Sequence, residues 1–380
     1  MLDTPPKRRT GLRQVPPGDP RDRGGALQPL LIVNNLRKHF PIRGGVLKRT
    51  VGSVKAVDGV SFTVLKGETL GVVGESGCGK STLARLLMNL IVPDAGELIF
   101  DGDPVGERNG LTLRQLRRNL QMVFQDSSSS LNPRLPVSDS VAYAPRVHGT
   151  PAREARQTAL ELLEKVGLRA DLFAGRYPHE LSGGQKQRVN IARALALQPR
   201  MLILDEAVSA LDKSVEAQVL NLLRYLKAHF SLTFLFISHD LHVVRYISDR
   251  VLVMYLGEVV EIGAVDAIYE TPKHPYTQAL LASQLSMDPA ERVTEAPLAG
   301  DPPNPVNPPS GCRFHTRCPF AESVCSAKAP ALGKWVDRQS HLVACHMHDA
   351  ASGHSRAGRP LELAAGANPF TKPTIVPLGA

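Results

Sequence analysis

The sequence lacks any long hydrophobic run. No stretch approaches the roughly 20 uninterrupted apolar residues that a membrane-spanning helix requires, so we expect the chain not to cross a bilayer. The apolar segment of a secretory signal is also missing, because the basic N-terminus continues into a proline-rich stretch from Thr4 to Pro20. We therefore expect the chain to be retained in the reducing cytosol.

Cysteine is scarce, and internal repeats are missing. In a reducing compartment the five cysteines among 380 residues are expected to be free thiols or metal ligands rather than disulfides. No repeat of about 20 to 50 residues is apparent, which argues against a solenoid or a propeller.

The composition is that of a globular protein, with 43% hydrophobic and 21% charged residues. The length suggests two domains, or one large domain with an extension.

Acidic residues are outnumbered by basic ones. The 36 Asp and Glu against 45 Lys and Arg give a formal net charge of +9, which permits nucleic acid, an acidic membrane surface or a phosphorylated ligand without selecting one. Part of the excess lies in residues 1–28, which are rich in proline, arginine and glycine and show no apolar period. We interpret 1–28 as a flexible leader.

Short apolar runs alternate with helix-period segments along the rest of the chain. Runs that predict strands lie at residues 30–33, 54–65, 70–73, 97–100, 201–204, 232–237 and 251–254, with one more that ends at 124. Apolar residues at helical spacing fill 137–174, with Ala159, Leu162, Leu163 and Val166 on one face, and predict a helical insert. This alternation predicts an α/β fold with a sheet and crossover helices.

A glycine-rich loop follows the predicted strand at 70–73. Residues 74–81 read GESGCGKS and fit the pattern G-x-x-x-x-G-K-[ST]. The glycines allow backbone N–H groups to close around phosphate oxygens, and the helix N-terminus adds positive potential. We expect Lys80 to reach the β and γ phosphates of a nucleotide and Ser81 to bind Mg²⁺. The flanking strand and helix disfavour the alternative, an accidental glycine-rich turn.

A second apolar strand, 201–204, ends in two acids. Parallel strands deliver their carboxyl ends to the same edge of a sheet, so Asp205 can face the metal held by Ser81. Glu206 would then orient or deprotonate a water that attacks the γ phosphate. Without the phosphate loop, the two acids would indicate only a solvated loop entry.

A third motif, LSGGQ, occupies residues 181–185. Together with Gln125, Asp212, His239 and the two motifs above, it resembles the ATP-binding cassette (ABC) ATPases in content and order. The resemblance implies an α/β P-loop ABC cassette with a RecA-like core sheet, an antiparallel β subdomain and a helical signature subdomain. It also implies ATP and Mg²⁺ as cofactors.

The signature motif poses a physical problem. Ser182, Gly183 and Gly184 at the start of a helix would form another anion cradle, yet the helical insert separates them from Lys80. In the family a head-to-tail dimer solves this problem, because the signature of one subunit closes over the nucleotide held by the other. The alternative, an ordinary N-capped helix, accounts for Ser182 but not for two glycines followed by Gln185.

The resemblance also implies roles for single residues. Gln125 would contact Mg²⁺ and water and sense the membrane partner, His239 would contact the γ phosphate, and Asp212 would reach across the dimer. Phe40 resembles the family's adenine-stacking aromatic, although a lone Phe at a strand end is more often a core residue. The expected catalytic residues are Glu206, His239 and Gln125. The expected nucleotide-binding residues are Phe40, Gly74, Glu75, Ser76, Gly77, Cys78, Gly79, Lys80, Ser81, Thr82, Gln125, Ser182, Gly183, Gly184, Gln185, Asp205 and Asp212, with Ser81, Gln125 and Asp205 at the magnesium.

Finer similarities point to one class of ABC protein. The segment between Lys80 and Ser182 is too short for the long coiled coils of chromosome-maintenance relatives, and one cassette is present rather than the two of translation-factor relatives. A similarity to the ATP-binding subunits of oligopeptide and dipeptide importers is carried by residues 54–60, 130–134, 177–180 and 274–277. Nickel and glutathione importers share that subfamily. A soluble ABC ATPase acting on nucleic acid or ribosomes is the competing class.

Two departures from the family pattern are visible. Ala207 stands where the family usually has proline after the acidic pair, which should matter little to the chemistry. Ser127 and Ser128 replace a common Pro-Tyr beside Gln125. Since the family meets its membrane partner there, the second departure bears on the identity of that partner.

Four of the five cysteines cluster near the C-terminus, with the spacing C-x5-C-x6-C-x19-C, at Cys312, Cys318, Cys325 and Cys345. Four thiolates complete either a Zn²⁺ site or an iron–sulfur cluster. Zinc sites usually show C-x2-4-C pairs, which this spacing lacks. The segment resembles the extension of peptide-importer ATPases in which matching cysteines hold a [4Fe–4S] cluster. Zinc, and a module of four reduced thiols without metal, stay open as alternatives.

The expected organisation is a leader (1–28), a nucleotide-binding domain (29–265) with a helical subdomain at about 126–182, a C-terminal extension with the cysteines (266–350) and a flexible tail (351–380). The resemblance implies a second ABC ATPase subunit, more often a sister chain than a copy, two transmembrane permease subunits and an extracytoplasmic substrate-binding protein, and no nucleic acid. It implies a peripheral position at the cytoplasmic face of the inner membrane. The sequence of this subunit does not identify the cargo, because in such importers the ATP-binding subunit does not contact it.

Overall fold

The computed structural model describes residues 28–44, 49–283, 301–333 and 340–358. Most of the expected leader, and the tail beyond 358, lie outside these residues. No helix within them is long and apolar enough to cross a membrane. The strands are β1 (Pro29–Gly44), β2 (Arg49–Leu65), β3 (Thr69–Val73), β4 (Ala95–Phe100), β5 (Asp103–Pro104), β6 (Leu120–Val123), β7 (Met201–Asp205), β8 (Thr233–Ile237), β9 (Arg250–Tyr255), β10 (Glu258–Ala264) and β11 (Leu342–Val343). The helices are α1 (Lys80–Leu87), α2 (Leu113–Asn119), α3 (Val137–Val147), α4 (Ala152–Lys165), α5 (Ala170–Phe173), α6 (Gly183–Leu195), α7 (Lys213–Phe230), α8 (Leu241–Ile247), α9 (Val265–Glu270), α10 (Pro275–Ala282) and α11 (Ser323–Ala327).

Two sheets form the framework. The larger has the order β11-β10-β9-β3-β8-β7-β6, in which β9, β3, β8, β7 and β6 run parallel and β10 and β11 pair antiparallel at one edge. The smaller sheet, β2-β1-β4-β5, is antiparallel throughout. The predicted core sheet and antiparallel β subdomain are both present.

The central strands are buried along their whole length. Every residue of β3 (TLGVV), β7 (MLILD) and β8 (TFLFI) is buried. A parallel strand covered on both faces reads as a continuous apolar run rather than an alternating one. For that reason the strands predicted at 70–73, 201–204 and 232–237 are confirmed.

The helical insert between β6 and β7 is also confirmed. Its predicted apolar face, which includes Ala159, Leu162 and Leu163, is buried where α4 packs on α3 and α6. The insert is divided into short helices, because Gly149 and Gly167 adopt left-handed backbone conformations with φ of 93° and 77°. Left-handed glycine commonly ends a helix.

The C-terminal extension packs on the cassette. Its strand β11 extends the larger sheet through the pair Glu261 and Val343. Phe314 is buried against Tyr255 and Tyr276, with ring centroids 5.4 and 5.5 Å away. Packing continues past the expected boundary at 350, since buried His354 contacts the Phe320 carbonyl oxygen through Nε2 at 3.0 Å.

Candidate functional site

The phosphate loop joins β3 to α1 with a backbone that requires glycine. Gly74 and Gly79 have φ of 150° and 109°, values that residues with a side chain rarely adopt. A Cβ at Gly74 would overlap the Met254 carbonyl oxygen, and one at Gly79 would overlap that of Ala56. These two glycines therefore allow the loop to lie directly on neighbouring backbone. The loop ends at the N-terminus of α1, as the motif predicts.

Lys80 lies inside this loop. Its side chain donates from Nζ to the carbonyl oxygens of Gly74 at 2.7 Å and Glu75 at 3.1 Å, and the residue is 6% exposed. Cys78, also buried, lies with its Sγ 3.8 Å from the same nitrogen. The ammonium group is thus held at the centre of the loop, where it can meet a phosphate.

Ser81 and Asp205 meet at the carboxyl ends of β3 and β7. The Ser81 hydroxyl donates to Asp205 Oδ1 at 3.1 Å, as expected from the parallel strand order. Burial raises the pKa of the Asp205 carboxyl, and the nearby Glu206 adds to the increase. A hydroxyl and a carboxylate are oxygen ligands of the kind that Mg²⁺ prefers, so this pair fits a magnesium site.

Glu206 is the centre of a second group of polar side chains. One carboxylate oxygen accepts a hydrogen bond from Gln125 Nε2 at 2.7 Å, and the other lies 3.3 Å from His239 Nδ1. The three expected catalytic residues therefore lie together. Glu206 has a left-handed backbone with φ of 47°, anchored by its N–H on the Ile237 carbonyl oxygen at 2.9 Å. Strained conformations of this kind concentrate at functional sites.

The signature motif begins α6. Ser182 caps the helix by accepting from the Gln185 N–H, and the Gln185 side chain accepts in return from the Ser182 N–H at 2.9 Å. A Cβ at Gly184 would lie 2.5 Å from Val215 Cγ1. The expectation that a capped helix could not account for Gln185 was wrong, because this capping box and the packing at Gly184 explain both residues.

Gly183 is different from its neighbours. It is exposed, and a Cβ there would meet only Leu211 Cδ2 at an ordinary 3.8 Å. The packing of the described chain therefore does not require glycine at this position. A close approach by another molecule would require it.

Two further predicted residues lie on the surface. Phe40 on β1 is 36% exposed, with Lys38 Nζ 5.8 Å from its ring centroid, so it is not a core residue. Asp212 precedes α7, is exposed and, within the described chain, makes no capping hydrogen bond through its side chain. Both side chains are accessible to a ligand or a partner.

Four thiols line one small cavity beside the start of α10 in the C-terminal extension. They belong to Cys312, Cys318, Cys325 and Cys345, and none of them forms a disulfide in the described chain. Burial raises the pKa of the Cys312 thiol to about 11 and those of Cys318 and Cys345 to about 12. No group of three or more His, Cys, Asp or Glu side chains in the described ranges reaches a metal-holding arrangement. The thiols thus share a cavity without forming a closed metal site.

Sequence reasoning missed two residues that touch the phosphate loop. Arg317 contacts the Glu75 carboxylate, and the Tyr276 hydroxyl accepts from the Glu75 N–H at 2.8 Å. Tyr276 lies in a segment noted only for its family resemblance, and Arg317 lies among the cysteines. Neither is near the loop in the chain, so no local pattern could connect them.

Two family models match the chain. Residues 57–209 match the ABC transporter family, and residues 260–325 match the C-terminal region of oligopeptide and dipeptide transporters. The chain is 49% identical to the oligopeptide transport ATP-binding protein AppF of Bacillus subtilis, over 84% of this chain and 98% of that protein. It is 52% identical to a probable peptide ABC transporter ATP-binding protein of Sinorhizobium fredii, over 86% and 92% of the two chains.

Solved structures give the same fold. One neighbour is cbiO1 from Clostridium perfringens, part of the ABC transporter complex cbiONQ, with a TM-score of 0.55 and 28% identity over 64% of this chain and 92% of that chain. Another is the ATP-binding cassette MJ0796, in a dimeric post-hydrolysis state bound to ADP and Pi. It has a TM-score of 0.53 and 29% identity over 62% and 98% of the two chains.

Proposed function

The chain belongs to the family of ABC transporter ATP-binding proteins, and we propose that it binds and hydrolyses ATP to power the import of peptides. One observation carries the chemistry: Glu206 lies between Gln125 and His239, next to the pair formed by Ser81 and Asp205. The peptide class is supported by the match of residues 260–325 to the oligopeptide and dipeptide transporter region.

The roles proposed for the site follow from its geometry. The phosphate loop and Lys80 bind the triphosphate, and Ser81 and Asp205 would hold Mg²⁺, which supplies charge neutralisation to the phosphates when bound. Glu206 accepts the proton of the attacking water. Gln125 and His239 orient the Glu206 carboxylate. Phe40 offers an accessible ring for the adenine.

We further propose that the ATP site is completed by a second cassette, which is more often a sister chain than a copy in this subfamily. Three observations support this step. The exposed Gly183 has no packing reason within the described chain, and the side chain of Asp212 is exposed and makes no capping hydrogen bond to its own helix in that part of the chain. The neighbour MJ0796 is itself described as dimeric. A head-to-tail pair would bring the signature of one subunit onto the nucleotide of the other.

The other proposed partners are two transmembrane permease subunits and an extracytoplasmic substrate-binding protein, with this chain peripheral at the cytoplasmic face of the inner membrane. The test is the ATPase rate of the reconstituted assembly in proteoliposomes. We expect it to rise when the binding protein is loaded with peptide and to stay constant with nickel, glutathione, DNA or ribosomes. Stimulation by nickel or glutathione would select another importer of the subfamily, and stimulation by DNA or ribosomes would overturn the transporter assignment.

A [4Fe–4S] cluster in the cysteine cavity is proposed as well. The four thiols fit the cluster in number and type, because a [4Fe–4S] cluster takes four cysteine ligands. All four line the same cavity, although Cys312 and Cys345 lie far apart in the chain. Because no group of three or more His, Cys, Asp or Glu side chains among the described residues is arranged to hold a metal ion, the cluster proposal rests on the four thiols and their common cavity.

The cluster proposal predicts metal content that depends on Cys345. Protein purified without oxygen should contain about four iron and four sulfide per chain, and the Cys345→Ser variant should lose most of both, because a cluster needs four thiolate ligands. Cys78→Ser, which lies in the phosphate loop, is the control and should retain them. Wild-type protein that is colourless and iron-free under these conditions would refute the cluster; stoichiometric zinc would identify the alternative.

A further inference from the structure

The C-terminal extension reaches into the phosphate loop at Glu75. Arg317 Nη1 donates to both Glu75 carboxylate oxygens, at 3.0 and 3.2 Å, and Nη2 donates to Oε1 at 3.2 Å. The Glu75 N–H donates to the Tyr276 hydroxyl, and its carbonyl oxygen accepts from Lys80. The carboxylate, the N–H and the carbonyl oxygen of Glu75 are therefore all bonded. The contacts to the carboxylate and the N–H come from Arg317 and Tyr276, which lie beyond the cassette core.

The Arg317 guanidinium is fixed in place. Its side chain is only 6% exposed, against 20% for Glu75, and Nη1 also contacts the Tyr255 hydroxyl at 3.4 Å. Nearby, Phe314 is buried among aromatic rings, and Arg313 pairs with Asp58 and Glu258. A guanidinium held this way keeps the geometry of its ion pair without the ordering cost of a mobile surface side chain.

Glu75 brings a negative charge to a loop that binds a polyphosphate. An unpaired carboxylate there would repel the ligand, and the partial burial of the pair strengthens that repulsion relative to water. The Arg317 ion pair neutralises this charge. Through the Glu75 side chain it also links the loop to the segment 312–318, which begins at Cys312 and ends at Cys318.

We propose that Arg317 is a positioning residue of the ATP site, which makes the affinity for MgATP depend on the C-terminal extension through the ion pair with Glu75. The inference rests on the proposed ATPase function. Arg317 touches no reacting atom; it acts through Glu75 and the loop. Any change that displaces the turn at residues 315–317, including a change at the neighbouring thiols, would then alter the affinity for MgATP.

The test is a double-mutant cycle on the full chain, with MgATP binding measured by titration calorimetry. Arg317→Met should weaken binding roughly 5- to 30-fold, because it leaves the Glu75 carboxylate unpaired beside the phosphates. Glu75→Gln removes that negative charge itself, so its MgATP affinity is the reference level for the double variant. The double variant should recover to the level of Glu75→Gln, whereas a merely structural role for Arg317 would leave it as weak as Arg317→Met.

Arg356→Met is the matched control, since Arg356 lies in the same extension and contacts the Phe320 ring instead of the loop. It should bind MgATP like the wild type. If Arg317→Met does not fold, Arg317→Lys keeps the charge, loses the paired contact and should show a smaller weakening that Glu75→Gln again relieves. Wild-type affinity in the Arg317 variants, or no relief in the double variant, would overturn the inference. A wild-type chain that binds no MgATP would instead refute the proposed function.

Discussion

Exchange of Glu206 for glutamine should lower ATP turnover by roughly 10²- to 10⁴-fold while MgATP binding is retained, as expected for the loss of a general base. The amide preserves the shape of the side chain and its contact with Gln125. It cannot accept the proton of the attacking water. The measurement is steady-state phosphate release by the assembled transporter, together with nucleotide affinity by titration calorimetry.

A surface exchange of the same type controls for nonspecific effects of the mutation. Glu270 pairs with Arg245 at 3.5 Å on an exposed surface, so Glu270→Gln should turn over at the wild-type rate. If Glu206→Gln hydrolysed ATP at the normal rate, the role of Glu206 as general base would be wrong, although the fold assignment would stand.

Lys80→Ala should reduce hydrolysis by about 10²- to 10³-fold and also weaken MgATP binding, in contrast to Glu206→Gln. The lysine is the buried cation of the loop, and its removal deletes a charged donor to the phosphates in both the bound and the transition state. Calorimetric affinity and turnover, measured on the same preparation, separate the two patterns.

Lys227→Ala provides the comparison for Lys80→Ala. Lys227 pairs with Asp249 at 2.8 Å, away from the loop, so this variant should keep both affinity and turnover. Unchanged MgATP affinity and rate in Lys80→Ala would contradict the assignment of the loop as the triphosphate site.

The core of the fold could be predicted because strands that are buried on both faces appear in the sequence as continuous apolar runs. Strands β3, β7 and β8 are continuous apolar runs, and the acids that follow β7 mark the edge where Asp205 meets Ser81. A parallel sheet converts that pattern into proximity. The pairing of Ser81 with Asp205 therefore followed from the order of the strands.

Other parts of the site could not be predicted. Gln185 closes a capping box with Ser182 within its own helix, a contact that the glycine-rich motif did not indicate. The Arg317 and Glu75 pair joins residues far apart in the chain, and no periodicity or spacing encodes such a contact. The cysteine spacing did not predict the shape of the cavity, because that shape depends on how the extension packs.

The mechanism requires that ATP is enclosed between two cassettes. Light scattering of the Glu206→Gln variant measures this directly, because ATP that is bound but not hydrolysed should hold the pair together. With MgATP we expect the mass to rise from 41.2 kDa to about twice that value, alone or with the sister cassette, and to fall back with ADP. A variant that stays monomeric when saturated with MgATP, even with the sister cassette and the permease subunits present, would contradict the enclosure of ATP between two cassettes.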